Sequence, residues 1–143
     1  MAPWAEAALY AAARADHAAQ VIRPALARGD DVVCDRYLDS SVAYQGIARG
    51  LGAPQVRDLS LLVTEQLLPD RTFLVLLDPE EALRRATGDH DRIEREGAAF
   101  MQKVDAGYRA VAAAEPDRIV AVDGSRSADA IAEEIREHVR PLL

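Results

Sequence analysis

Val32-Val33-Cys34-Asp35-Arg36-Tyr37-Leu38-Asp39-Ser40-Ser41-Val42-Ala43-Tyr44-Gln45-Gly46 decides how the rest of the 143-residue chain is read. A short apolar run of strand character ends abruptly in an Asp-Arg pair, and a polar segment with helical spacing follows. Open α/β sheets bind ligands beyond the carboxyl ends of their strands. Two serines, a tyrosine and a glutamine after such an end are too polar for core, which marks the stretch as the candidate site.

Upstream, Pro3 to Arg28 is rich in Ala and Leu, lacks Gly, and has apolar residues Trp4, Ala8, Val21, Ile22 and Leu26 that suit a long helix. Pro3 suits the first turn, Gly29 the end, and Pro24 a kink or a tight last turn. Downstream, Ser40–Ala48 predicts a short helix that Gly50-Leu51-Gly52 breaks, and Pro54 to Leu68 a second, with Val56, Leu59, Leu62, Val63 and Leu67 on one side. Thr72–Leu77 is a continuous apolar run, as in a parallel strand covered on both faces. A helix from Glu80 to about Thr87, a polar break at Gly88–Asp91 and a helix from Arg92 to Ala114 come next. Ile93, Phe100, Val104 and Tyr108 are buried candidates there. A strand at Arg118–Val122, a loop at Asp123-Gly124-Ser125 and a helix capped by Ser127 and running to about Arg140 complete the order. The alternation implies one α/β domain over 1–143, a parallel sheet with helices on both faces.

The formal charge of −7 argues against nucleic acid or an anionic membrane as the main partner. It leaves room for a small phosphorylated ligand held by arginines. The single cysteine, Cys34, excludes an internal disulfide and fits a reducing cytoplasm; it reads as a small apolar residue at a strand end. No apolar run reaches membrane-spanning length. His17, His90 and His138 have no ligand spacing, so no zinc-type site is expected.

Four constellations carry chemistry. Arg36 can clamp a phosphate with paired N–H donors, and Asp35 can hold Mg2+ through water or orient a nucleophile. Alone, the pair reads as a surface salt bridge. Ser40 with Tyr44, and Ser41 with Gln45, are four apart and share a helical face. Tyr10 and Arg14, also four apart, pair a ring that can stack on a base with a guanidinium that can donate to a carbonyl. Arg84, Arg85 and Arg92 bracket the polar break, as in a mobile lid over a transferring phosphoryl group. Each has a bland alternative in a capped helix, a core tyrosine or a solvated charged loop.

Taken together and in order, the residues resemble the thymidylate kinase family. Asp35-Arg36-Tyr37-x-x-Ser40-Ser41-x-Ala43-Tyr44-Gln45-Gly46 is similar to its signature. Leu9-Tyr10-Ala11-Ala12-Ala13-Arg14, Val21–Gly29, Leu68-Pro69-Asp70-Arg71-Thr72-Phe73 and Asp91-Arg92-Ile93-Glu94 occur at the matching places. The resemblance implies a P-loop nucleoside-monophosphate-kinase-like fold and transfer of the ATP γ-phosphoryl to dTMP, giving dTDP, in the cytoplasm with Mg2+. It implies that Tyr10 stacks on thymine, Arg14 donates to a base carbonyl, and Arg36 holds the dTMP phosphate. Ser40 and Ser41 line the base and sugar, and Tyr44 packs where a 2′-hydroxyl would lie; Gln45 is a weaker carry-over. Asp35 belongs to the phosphate and Mg2+ network, and Arg84, Arg85 and Arg92 to the lid. By the same resemblance Arg85, Asp123, Gly124 and Ser125 are expected on the ATP side, and the full-length member is expected to be a homodimer.

The family's Gly-rich loop, G-x-x-x-x-G-K-[ST], does not occur in these residues, whose only lysine is Lys103. The expectation is therefore a partial domain missing its first strand or strands, from a late-called start or a truncated gene. By itself it would be inactive, of reduced stability and prone to aggregate, since Val32–Cys34 and Thr72–Leu77 would flank an unfilled slot. The competing reading is a non-catalytic remnant that acts as a nucleotide-binding or dimerising module through the helix bearing Trp4. A related deoxynucleoside or other nucleotide kinase fits the Ser-Ser-x-x-Tyr-Gln run less well.

Overall fold

Pro3 sits at the first helical position, where its missing N–H costs nothing, and the alanine-rich run behind it propagates helix α1, Pro3–His17. The computed structural model describes residues 1–85 and 97–143. The helical path continues through a π-helical turn at Ala18–Ile22 into α2, Arg23–Ala27. Pro24 explains the widening. An interior proline cannot return a hydrogen bond to the preceding turn and its ring crowds the carbonyl there, and a π turn absorbs both. Gly29, at φ +83°, ends the path. Its N–H donates to Leu26 O at 3.0 Å and that of Asp30 to Ala25 O at 3.1 Å, a Schellman closure that needs a left-handed residue.

The strand expected at Val32–Cys34 is not formed: the stretch is irregular and Val33 is fully exposed. A strand exists only through a neighbour's backbone, and among the described residues β1 (Thr72–Leu76) is paired only with β2 (Ile119–Asp123). The two run parallel, Thr72 opposite Ile119 and Leu76 opposite Asp123. The described sheet therefore has two strands rather than three. Val75 is half exposed, so β1 is not covered on both faces. Cys34 is exposed rather than packed as a small apolar residue.

Helix α3, Leu38–Ser41, begins two residues earlier than the spacing predicts and passes into a second π-helical turn, Val42–Ala48. Helix α4, Ala53–Val63, stops short of the expected Leu68 because Glu65 and Gln66 adopt left-handed backbone, at φ +53° and +61°. Leu62, expected on its apolar side, is exposed, and Leu61 is buried in its place. Helix α5 is Pro79–Arg85, α6 is Ala98–Ala114, and α7 is Ala128–Val139, followed by a 3-10 turn at Arg140–Leu142. Ser127 caps α7 as expected, its side chain accepting from the Ala130 N–H. Thr87, the polar break Gly88–Asp91, and Arg92, Ile93 and Glu94 lie outside the described residues.

The core runs through the stretch that looked too polar for it. Leu38 and Val42 pack with Leu61, Val111 and Ile119 in one cluster, and Ala43, Tyr44 and Ala48 with Val104 in another. Phe100 and Tyr108 flank the second. Helix α6 approaches the π turn so closely that a Cβ on Gly107 would lie 3.0 Å from Ala43 O and 3.1 Å from Ala43 Cα. Polar members of the stretch are buried with partners distant in sequence. The Asp39 carboxylate accepts from Arg118 NH2 at 2.6 Å and NH1 at 3.0 Å, and from Thr72 Oγ1 at 3.3 Å. Arg118 NH1 also donates to Thr72 Oγ1 at 2.8 Å, and its Nε to Glu115 at 2.9 Å. The hydrogen bond from Arg118, joined by that from Arg57, outweighs burial and holds the Glu115 carboxyl below its ordinary pKa.

Leu38→Ala is expected to lower the unfolding free energy by about 3 kcal/mol, read from urea titration, because Leu38 is fully buried at the centre of the larger cluster. Asp39→Ala, which leaves the Arg118 guanidinium buried without its main carboxylate, is expected to lower it by about 3 kcal/mol or more. A loss below about 1 kcal/mol in either would contradict the packing described.

Candidate functional site

Helix α1 turns Tyr10, Ala13, Arg14 and His17 onto one face, the spacing of successive helical turns. Opposite lie Arg36, Tyr37, Ser40, Ser41, Tyr44 and Gln45, and the two walls enclose a cavity of about 340 Å3. Seven of the residues singled out in the sequence line it together: Tyr10, Arg14, Arg36, Ser40, Ser41, Tyr44 and Gln45. Among the described residues the lining contains two arginines and a histidine and no carboxylate, so their field favours an anionic ligand.

Arg14 spans the cavity floor. NH2 donates to Ser41 Oγ at 2.7 Å and to the Tyr37 carbonyl at 3.3 Å, and NH1 to Ser60 Oγ at 3.4 Å. Burial lowers its pKa, opposed by the charges of Tyr37, Cys34 and Asp39; a guanidinium stays protonated regardless. Three of its five N–H donors are thus engaged in holding the two walls together.

Arg36 has left-handed backbone, at φ +60°. That turn sets its guanidinium over the Tyr44 ring, 5.4 Å from the centroid. Burial acts to lower its pKa, but Tyr44, Tyr108 and Asp35 together raise it. The Tyr44 ring is held in turn by Tyr108, edge-on at 6.0 Å, and by Phe100, tilted at 6.3 Å. Ser40 Oγ shares a 2.8 Å hydrogen bond with Tyr108 Oη. Burial pushes the Tyr108 phenol up, against that hydrogen bond.

The remaining candidates are elsewhere. Arg84 and Arg85 do not line this cavity. Both pair with Glu81, Arg85 Nε at 2.7 Å, and Arg85 NH1 also donates to Gly124 O at 3.3 Å. The loop Asp123-Gly124-Ser125 is tied to the end of β1 by Gly124 N–H to Leu76 O, 2.7 Å. Asp123 closes the loop, accepting from Ser125 N at 2.9 Å and Ser125 Oγ at 2.7 Å. Those bonds hold the Asp123 carboxyl below its usual pKa. A second cavity, about 400 Å3, lies here at the carboxyl ends of both strands, lined by Leu76, Leu77, Asp78, Arg109, Val122 and Asp123. Arg92 lies outside the described residues. Asp35 is exposed, and no group of three or more His, Cys, Asp or Glu residues is placed to hold a metal among the described residues.

Sequence reasoning missed His17, Tyr37 and Tyr108 as neighbours of the site, and the buried Asp39 and Glu6 behind it. His17 was within reach of pattern reading, since it continues the Tyr10–Arg14 face by one turn. Tyr108 and Asp39 find their partners 68 and 79 residues away, which no local pattern reports.

The thymidylate kinase family model matches residues 1–135. A thymidylate kinase of Leifsonia xyli subsp. xyli is 55% identical over 139 residues, covering 95% of the chain and 66% of the relative. One from Solidesulfovibrio magneticus is 48% identical over 148 residues, covering 97% and 71%. One from Symbiobacterium thermophilum is 46% identical over 139 residues, covering 96% and 65%. The chain spans about two thirds of the length of these relatives.

Cys34 offers a check on the geometry at the rim. Its thiol is exposed and donates to Arg36 O at 3.5 Å. Partial desolvation and the Asp35 charge push its pKa up, against Arg14. Since the thiolate is the nucleophile, its disulfide-exchange rate with DTNB should rise with pH at a higher midpoint than that of a free cysteine peptide measured alongside. A midpoint below the peptide's would contradict the arrangement.

Proposed function

The chain belongs to the thymidylate kinase family, and from that premise we propose that its pocket binds dTMP as acceptor in phosphoryl transfer from ATP, giving dTDP. The observation that carries this reading is the convergence of α1 and the Arg36–Gln45 segment on one cavity, lined among the described residues by two arginines and no carboxylate. In it the Tyr10 ring stacks on the thymine and Arg14 uses its remaining N–H donors on a base carbonyl. Ser40, Ser41 and Gln45 border the base and sugar. Arg36 takes the phosphate through charge-assisted hydrogen bonds. Tyr44, held from behind by Phe100 and Tyr108, packs against the deoxyribose and leaves no room for a 2′-hydroxyl.

The ATP side falls to Arg85 and the loop Asp123-Gly124-Ser125, with Arg84 and Arg92 as lid cations for the charge that develops in transfer. Mg2+ would accompany ATP and supply the positive charge that offsets the phosphates during transfer. Asp35 would hold it. Its exposed carboxylate is an oxygen donor of the kind a hard cation takes. The 143 residues contain no G-x-x-x-x-G-K-[ST] loop, so this chain by itself is expected to bind the acceptor without turning it over. A cytoplasmic setting and a homodimer belong to the same reading, the dimer supported by half-exposed Trp4 and exposed Leu9 and Val21 along the first helical path.

Calorimetric titration tests it. dTMP should bind, thymidine more weakly, and Arg36→Met should bring dTMP down about tenfold or more, toward thymidine. Tyr44→Phe should narrow the preference for dTMP over its ribo-analogue. Equal failure of dTMP and dUMP would sink the acceptor reading in favour of a non-catalytic dimerising module. Robust turnover in a coupled ATP/dTMP assay would overturn the expectation of inactivity.

A further inference from the structure

Two carboxylates are buried among the described residues, Asp39 and Glu6. Asp39 is answered by Arg118, whereas Glu6 has no part in the roles assigned so far. It lies on the first turn of α1, one turn before Tyr10, and is 3% exposed. Glu6 Oε1 accepts from Gln45 Nε2 at 3.0 Å and from Arg49 Nε at 3.3 Å, and Oε2 accepts from Arg49 NH2 at 3.3 Å. Arg49 in turn lies 4.6 Å over the Phe100 ring. Gln45 lines the cavity and is 2% exposed.

We propose that Glu6 is a positioning residue for the pocket: its carboxylate fixes the Gln45 amide so that the carbonyl oxygen, not the NH2, is the group offered to the nucleobase. The inference rests on the acceptor reading and deepens it. An ionised carboxylate only accepts hydrogen bonds, whereas an amide has a donating and an accepting end of nearly the same shape. Beside Glu6 the amide must turn its NH2 to the carboxylate, because the flipped form would set oxygen against oxygen. Burial closes off water as a substitute partner. An acceptor held this way favours a base whose edge carries an N–H, as the imide of thymine or uracil does, over cytosine, whose ring nitrogen at that place bears a lone pair. Without Glu6 the amide presents either end, and that discrimination fades. Through Arg49 and Phe100 the same carboxylate braces the side of the pocket on which Tyr44 stands.

The test combines a ligand-free and a ligand-bound measurement on the full chain. With glutamine side chains labelled by 15N, the Gln45 amide should exchange with solvent more slowly than that of Gln20, Gln55, Gln66 or Gln102. In E6Q that protection should fall, because one of the two oxygens that accept from Gln45 and Arg49 becomes an NH2, which must then face a donor of Arg49 or turn the Gln45 amide round. By calorimetry, N3-methyl-dTMP, which lacks the imide proton, should bind the wild-type chain about tenfold more weakly than dTMP, and E6Q within about threefold. The swap E6Q/Q45E returns a carboxylate oxygen to the ligand side and should restore the difference. It also carries the test if melting curves show E6Q unfolded. A purely structural role would lower the melting temperature and both affinities together and leave their ratio unchanged. A folded E6Q with wild-type ratio and protection therefore overturns the proposal, as does failure of the folded swap to restore the ratio. A protected Gln45 amide in a wild-type chain that ignores dTMP overturns the acceptor reading instead.

Discussion

The ion pair between Asp39 and Arg118 is the contact on which the rest of the arrangement depends. Asp39 stands inside the segment that forms one wall of the cavity, and Arg118 immediately precedes β2. Through Thr72 the same guanidinium reaches the start of β1, and through Glu115 the end of α6. One cation thus ties the cavity wall, both strands and a helix terminus together. Its pKa is held well above the ordinary value: burial acts downward, and the hydrogen bonds and charges of Asp39 and Glu115 overcome it. A buried pair of this kind adds little net stability against an apolar replacement. What it does supply is a fixed point, since α3 and the start of β2 are joined where both buried charges are satisfied.

That fixed point matters because the wall is a π-helical turn. Across Val42–Ala48 the backbone is wider than an α-helix, so the facing of Tyr44 and Gln45 depends on where the turn begins as well as on their spacing. Ala43 and Gly107 set the other boundary condition, a helix approach that admits no Cβ at position 107 without displacing backbone. Pinned by Asp39 at one end and pressed by α6 on its flank, the turn presents Tyr44 to the cavity with Tyr108 and Phe100 behind it.

Much of this was legible in the chain. The alternation of elements, the parallel pairing, the Ser127 cap and the Tyr10–Arg14 face follow from periodicity and capping chemistry, and seven candidate residues line one cavity. The stretch from Asp35 to Gly46 was misjudged in one respect. It was set apart from the core as too polar, yet it supplies Leu38, Val42 and Ala43 to the apolar clusters and buries Asp39, Ser41 and Gln45 among them. Composition cannot separate a solvated polar segment from a buried satisfied one, because the satisfying partners, Arg118, Arg14 and Glu6, lie far along the chain. The strand expected at Val32–Cys34 failed for the complementary reason. Strand propensity is a property of residues, but a strand is a property of a pair.

The backbone at Arg36 joins these points. A non-glycine residue at φ +60° carries a conformational cost of about 1 kcal/mol or more, and such residues persist only where their surroundings over-determine them. Here the surroundings are identifiable. Tyr37 and Leu38 on one side are fixed by the core and by Arg14, which grips the Tyr37 carbonyl, and the guanidinium on the other rests on Tyr44. The cost is met once, during folding, by contacts that are already made without a ligand. A cation already turned toward the cavity then loses little further freedom when an anion arrives, which is the physical meaning of preorganisation. An extended backbone at Arg36 would relieve the strain but swing the guanidinium off Tyr44, leaving the cavity with Arg14, three of whose five donors already bind its own walls. The strained residue and the phosphate-binding candidate are the same residue, and the packing of the segment on either side explains why it can be both.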